Sequence, residues 1–221
     1  MGIGFLKEKI KKNPIHPVFI LLLLWFLCTK NVFSFILFCL VVLSHEFGHY
    51  YMAKKLGYKL SSFFIAPYGV CLNYKESTFE QKDEILIAFA GPFVNFVISI
   101  LCVSLWWIFP VIYNFTQEIV FQSIMLGLFN LLPCYPLDGG RVFVGILSKF
   151  YPRQKAIKVT MFINIFVALI LFILFFISLF FDFNPSLCFC GVFLVLGLFD
   201  SKEECKYQPI ALYKKKTKNF S

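Results

Sequence analysis

His45-Glu46-Phe47-Gly48-His49 is the segment of this chain whose residue types and spacing could do metal chemistry. On a helix, side chains at i and i+4 lie on one face. Two imidazoles so placed can hold one zinc ion, a metal that takes histidine nitrogen readily. The intervening Glu46 carboxylate can then accept a proton from an attacking water. The bland alternative is a pair of hydrogen-bonded core histidines. A catalytic zinc takes three protein ligands and leaves one position open. No histidine follows His49, and the carboxylate inside a later apolar run is Asp138. Depth agrees: His45 and His49 stand nine and five residues before Lys54, and Asp138 eleven before Lys149. At about 1.5 Å per residue these fall within one third of a bilayer. Arg141 lies beside Asp138 and reads as its ion-pair partner or as a head-group anchor. His16, next to Pro17, reads as structural.

The elements that must position these groups are transmembrane. Of 221 residues, 59% are hydrophobic and 15% charged, and mean hydropathy is +0.78. A soluble domain of this size could not bury so much apolar surface. Inside a span, one ionisable side chain costs roughly 2.5–3.5 kcal/mol on insertion scales, so His45, Glu46, His49 and Asp138 are expensive unless clustered and used. Apolar runs occupy about Ile15–Cys28, Val32–Ala53, Ile85–Val111, Ile119–Leu147, Ala156–Phe181 and Pro185–Phe199. If all six cross, with the N-terminus inside, 19 of the 21 basic residues fall on the cytoplasmic side, as the positive-inside tendency requires. The formal charge of +9 therefore reads as topology, not as nucleic-acid binding. The eight cysteines show no paired spacing and read as small buried hydrophobes.

The expected fold is therefore an all-α polytopic membrane protein of six transmembrane helices. Ser61–Tyr74 is an exception: apolar, too short to cross, and broken by Pro67 and Gly69. It reads as a small re-entrant hairpin between spans two and three, which must line protein or a water-filled cavity. In span four, Pro133, Pro136, Gly139 and Gly140 should break the helix around Asp138. Residues 1–221 are expected to form a single membrane domain, with a catalytic core at about 32–147, two further spans within 156–199 and a basic tail at 200–221.

Three motifs together resemble the site-2 protease family of intramembrane zinc metalloproteases. They are His45-Glu46-x-x-His49, Ala90-x-Pro92-x-x-Asn95, and Asn130-Leu131-Leu132-Pro133-Cys134-Tyr135-Pro136-Leu137-Asp138-Gly139-Gly140. The resemblance implies an endopeptidase that cuts membrane-embedded or membrane-anchored proteins in regulated proteolysis. It implies one Zn2+ per chain on His45, His49 and Asp138, with Glu46 as general base and then general acid. It offers Asn130 as a substrate-backbone or oxyanion donor, with a helix-break hydrogen bond as the alternative. Asn95 reads as packing between spans. In length and layout the chain looks closest to the sporulation branch, but without its C-terminal nucleotide-sensing domain. The implied setting is a bacterial cell membrane, and the distribution of basic residues makes both termini cytoplasmic. The implied partners are a protein substrate, the lipid bilayer and an inhibitory membrane protein. Two other readings stand beside this one: a membrane zinc protease with a cytosol-facing site, and a metal transporter using the same ligands. The protease with a cytosol-facing site would want a later helical Glu, and the transporter would want repeated halves.

Overall fold

The computed structural model describes residues 32–58, 60–66, 69–74, 80–181 and 186–198. The first apolar run, His16, the Pro67–Tyr68 turn and the basic tail lie outside these residues. By its internal packing the chain divides into two units, Met1–Phe129 and Asn130–Ser221.

The first unit is built on a helical hairpin with a small sheet at its turn, followed by a third helix. Helix α1 (Val32–Lys55) is 24 residues long and ends on Lys54 and Lys55, whose charges complement the negative end of the helix dipole. It stops because Gly57 adopts φ +90°, a left-handed conformation that costs glycine little. Gly57 N then donates to Lys54 O (3.1 Å) and Tyr58 N to Ala53 O (3.0 Å), the paired closing bonds of a glycine-terminated helix. Strands β1 (Leu60–Ala66) and β2 (Gly69–Tyr74) pair antiparallel in a two-stranded sheet, with Phe63 opposite Leu72 and Ile65 opposite Val70. An irregularity between Leu60 and Ser62 shifts the register at its open end.

Helix α2 (Gln81–Ile108) is 28 residues long and carries Pro92 in its interior. Its start is clamped to the end of α1, because Tyr58 Oη donates to Asp83 Oδ2 (2.6 Å) and accepts from Glu80 N (3.3 Å). The clamp sets the axial register of α1 against α2. Gly48 permits their close approach, since a Cβ there would meet Ala90 O at 2.6 Å and Val94 Cγ2 at 2.9 Å. A 3-10 turn, Pro110–Ile112, leads into α3 (Tyr113–Asn130). Trp106 Nε1 donates across that turn to Thr116 Oγ1 (2.7 Å).

The second unit contains α4 (Asp138–Leu147), α5 (Arg153–Ser178) and α6 (Ser186–Leu198). Its core gathers Tyr135, Val144, Ala156 and Ile157. The apolar run expected as span four is built as α3 and α4 with irregular backbone at 131–137, where Pro133 and Pro136 remove helix donors. Among the described residues, α1, α2 and α5 are long and apolar enough to cross a membrane, and α6 is a shorter apolar helix. Their outer faces are greasy: Phe162 on α5 is 73% exposed and Phe47 on α1 60%. A lipid solvent accounts for apolar side chains on that scale.

Candidate metal centre

His45 and His49 stand one helical turn apart on α1 and face α2. Their rings meet edge to face, with centroids 4.8 Å apart and planes at 82°. His45 is buried and His49 half-buried, while Phe47, between them in sequence, points away and stacks on Tyr51 with centroids 6.2 Å apart. The helix period thus sorts the motif into an inward imidazole face and an outward aromatic one.

Three residues of α2, spaced by four, receive the rings. His49 Nδ1 lies 2.7 Å from Ile87 O, and His45 Nδ1 lies 3.1 Å from the Asn95 amide. Between these anchors sits Gly91. A Cβ on Gly91 would overlap His49 Nε2 and come within 2.8 Å of His45 Nε2. Both Nε2 atoms therefore converge on space that only glycine leaves free, while both Nδ1 atoms are tied down on either side. Pro92 and Asn95 complete this face and are fully buried. Engaged Nδ1 atoms and converging Nε2 atoms are what a histidine metal pair needs, so these residues fit zinc. Glu46, next to His45, is half-buried and has interactions of its own.

The other expected site residues lie at or beyond the end of α3. Asn130 is the last residue of α3 and is half-buried. Asp138 is the first residue of α4 and is half-buried, where the positive end of a helix dipole favours a carboxylate. The loop before it folds back tightly, with Cys134 N donating to Leu132 O (2.7 Å), Leu137 N to Cys134 O (2.9 Å) and Gly140 N to Leu137 O (3.1 Å). A Cβ on Gly139 would overlap the Leu131 and Leu132 carbonyls, and one on Gly140 would come within 2.6 Å of Cys134 O. The loop is then held from the side. Asn164 of α5, fully buried, donates through Nδ2 to Tyr135 O (2.9 Å) and Leu194 O (3.1 Å). Gly197 of α6 lets its helix lie directly on Tyr135 O and the Pro136 ring. The Tyr135–Pro136 peptide is cis. Arg141 is exposed.

His45 and His49 share the helix face that their spacing predicts, whereas the groups that support them are set by the fold. Asn95, expected to pack between spans, is fully buried with its Cβ against Gly127 of α3, and it also directs its amide at His45. Ile87, Gly91 and Asn164 were not anticipated. A signal existed for two of them: Gly91 precedes a proline inside a span, and Asn164 is a polar residue within a long apolar run. Nothing in the sequence marks the Ile87 carbonyl.

The chain is similar to known proteins in both sequence and fold. The sequence profile of peptidase family M50 matches residues 33–121 and 110–174. A zinc metalloprotease of Methanocaldococcus jannaschii is 33% identical over 86% of this chain and 58% of its own length. Stage IV sporulation protein FB of Bacillus subtilis is 28% identical over 90% of this chain and 69% of its own. This chain therefore spans a little over half to about two thirds of those relatives. The solved structure of a site-2 protease from Methanocaldococcus jannaschii aligns with a TM-score of 0.65 and 30% identity, covering 85% of this chain and 88% of that one.

Proposed function

Because the chain belongs to peptidase family M50, we propose that it is a zinc endopeptidase of the site-2 protease kind, cutting membrane-embedded or membrane-anchored proteins in regulated proteolysis. The observation that carries this reading is the convergence of His45 and His49 Nε2 over Gly91, with Nδ1 of each ring already engaged. His45, His49 and Asp138 hold the metal. Asp138 is the carboxylate of the Asp-Gly motif, and the neutral imidazoles leave room for one anionic ligand. Zinc, when bound, would supply Lewis acidity, lowering the pKa of water towards neutrality and polarising a carbonyl. Glu46 accepts the proton of the attacking water and returns it to the leaving amine nitrogen. Asn130 binds the substrate near the scissile peptide.

The whole chain acts as one membrane domain of six spans in a bacterial cell membrane, with both termini cytoplasmic. The distribution of lysine and arginine supports this topology. The β1–β2 hairpin is re-entrant, and an outer edge of its two-stranded sheet pairs with an extended substrate. A helical substrate must unwind before cleavage, and a free strand edge offers its amides replacement partners. An inhibitory membrane protein completes the proposed set of partners.

Glu46→Gln tests the chemistry, because the amide keeps the shape but cannot take a proton. Zinc content should match wild type while cleavage of a membrane substrate falls about 10²–10⁴-fold. Substantial residual cleavage would remove Glu46 from its role. Asp138→Asn should lower zinc content as well as activity, since a neutral amide is a poor ligand for a divalent ion. Full zinc in that variant would require another third ligand.

A further inference from the structure

The two imidazoles are anchored by chemically different partners, and the difference assigns a role to Asn95. A backbone carbonyl can only accept, so the contact with Ile87 O requires a proton on His49 Nδ1 and leaves Nε2 with its lone pair free. Asn95 is ambiguous, because its amide can present either a donor or an acceptor to His45. In the structure Nδ2 faces His45 Nδ1 at 3.1 Å, which would put the ring proton on Nε2, the atom that converges with His49 Nε2. Amide oxygen and nitrogen have nearly the same shape, and their assignment rests on hydrogen bonding. Asn95 is fully buried, and its Oδ1 has no partner among the described residues. Turning the amide over leaves one amide atom without a partner just as before. Hydrogen-bond count therefore does not choose between the orientations; the tautomer of His45 does.

We propose that Asn95 is a positioning residue of the metal centre, its Oδ1 accepting from His45 Nδ1–H and thereby fixing His45 with a free lone pair on Nε2. The assignment rests on the reading that His45 and His49 bind a metal together. Given that reading, both rings must share one tautomer, and only the oxygen of Asn95 allows it. Ile87 O and Asn95 Oδ1 then act as paired acceptors, eight residues apart on α2, holding both rings in the same protonation pattern. This is the arrangement by which a partner on the far nitrogen orients a ligating histidine. The Asn95 backbone is itself braced, since Ser99 Oγ donates to Asn95 O at 2.9 Å.

The experiment compares zinc affinity, by competition with a chelator, for detergent-purified wild type, Asn95→Asp, Asn95→Leu and His45→Ala. Asn95→Leu, which removes the acceptor, should bind zinc about 10–100-fold more weakly. Asn95→Asp keeps an acceptor oxygen in place and should bind within a few-fold of wild type or more tightly. A purely structural Asn95 would instead tolerate both substitutions or neither. Wild-type affinity in Asn95→Leu, or equal weakness in both variants, overturns the proposal. A second measurement needs no variant: in zinc-loaded, 15N-histidine-labelled wild type, His45 should carry its proton on Nδ1, and a proton on Nε2 overturns the assignment. Undiminished zinc binding by His45→Ala would instead overturn the underlying metal-centre reading, whatever Asn95 does.

Discussion

The histidine pocket of α1 and α2 and the Asp138 turn are built by opposite means. In the first, two regular helices do the positioning. Histidines stand four residues apart on one helix, the groups that meet them recur every four on the other, and the close neighbours of Gly91 are imidazole rings. In the second, irregular backbone does the positioning. Gly139 and Gly140 lie against main-chain carbonyls, and two neighbouring helices hold the loop through Asn164 and Gly197. Side chains can swing aside, whereas a folded main chain cannot. The first region should therefore lose metal before it loses its fold, and the second should lose its fold first.

Four substitutions probe that contrast. Gly139→Ala should have the largest effect, costing more than about 4 kcal/mol or preventing accumulation of folded protein, because the new methyl meets backbone on several sides. Thermal unfolding and folded yield in detergent read this out, and a variant of near-wild-type stability would break the contrast. Gly91→Ala should cost only about 1–3 kcal/mol in the metal-free protein, because the rings must leave their Nδ1 partners to clear the methyl, while weakening zinc binding about 100-fold or more, since they no longer share a ligand point. Normal zinc content in that variant would mean the rings do not bind where they now converge.

Asn164→Ala should cost about 1–3 kcal/mol, because the Tyr135 and Leu194 carbonyls lose their buried donor. It should also lower zinc affinity if the Asp138 turn relaxes, so unfolding and zinc titration together sharpen the comparison. Tyr58→Phe should be the mildest, at most about 1 kcal/mol, since water competes for that contact. Its hydrogen bond to Asp83 holds the Tyr58 phenol above its ordinary value near 10. The bond contributes fully below that ordinary value and is lost as pH rises through the higher folded-state value. Tyr58→Phe and wild type should accordingly converge in stability at strongly alkaline pH, and a constant gap would assign the effect to packing.

Glu46→Gln and Asn95→Asp belong to the same contrast, because each alters chemistry at a pocket whose helices should not notice. A fold that collapsed in either would place the histidine region with the loop region after all.

Periodicity made α1 and its histidine pair legible. A helix fixes the angle between i and i+4, so the residue types of His45, Glu46 and His49 already state which groups share a face. Composition made the membrane setting legible, since apolar surface on this scale needs a lipid solvent. Pro133, Pro136, Gly139 and Gly140 announced that the chain breaks before Asp138, because proline removes donors and glycine tolerates close backbone. What the sequence could not determine is which partner each broken or buried group finds. The Ile87 carbonyl is chemically identical to every other carbonyl of α2, and only its facing His49 makes it an anchor. Asn95 and Asn164 are both lone amides in apolar helices, yet one meets an imidazole and the other two main-chain carbonyls. Hydrogen bonds are short and directional, so their partners depend on the register and spacing of packed helices, and those emerge only when residues about thirty to fifty positions apart come into contact.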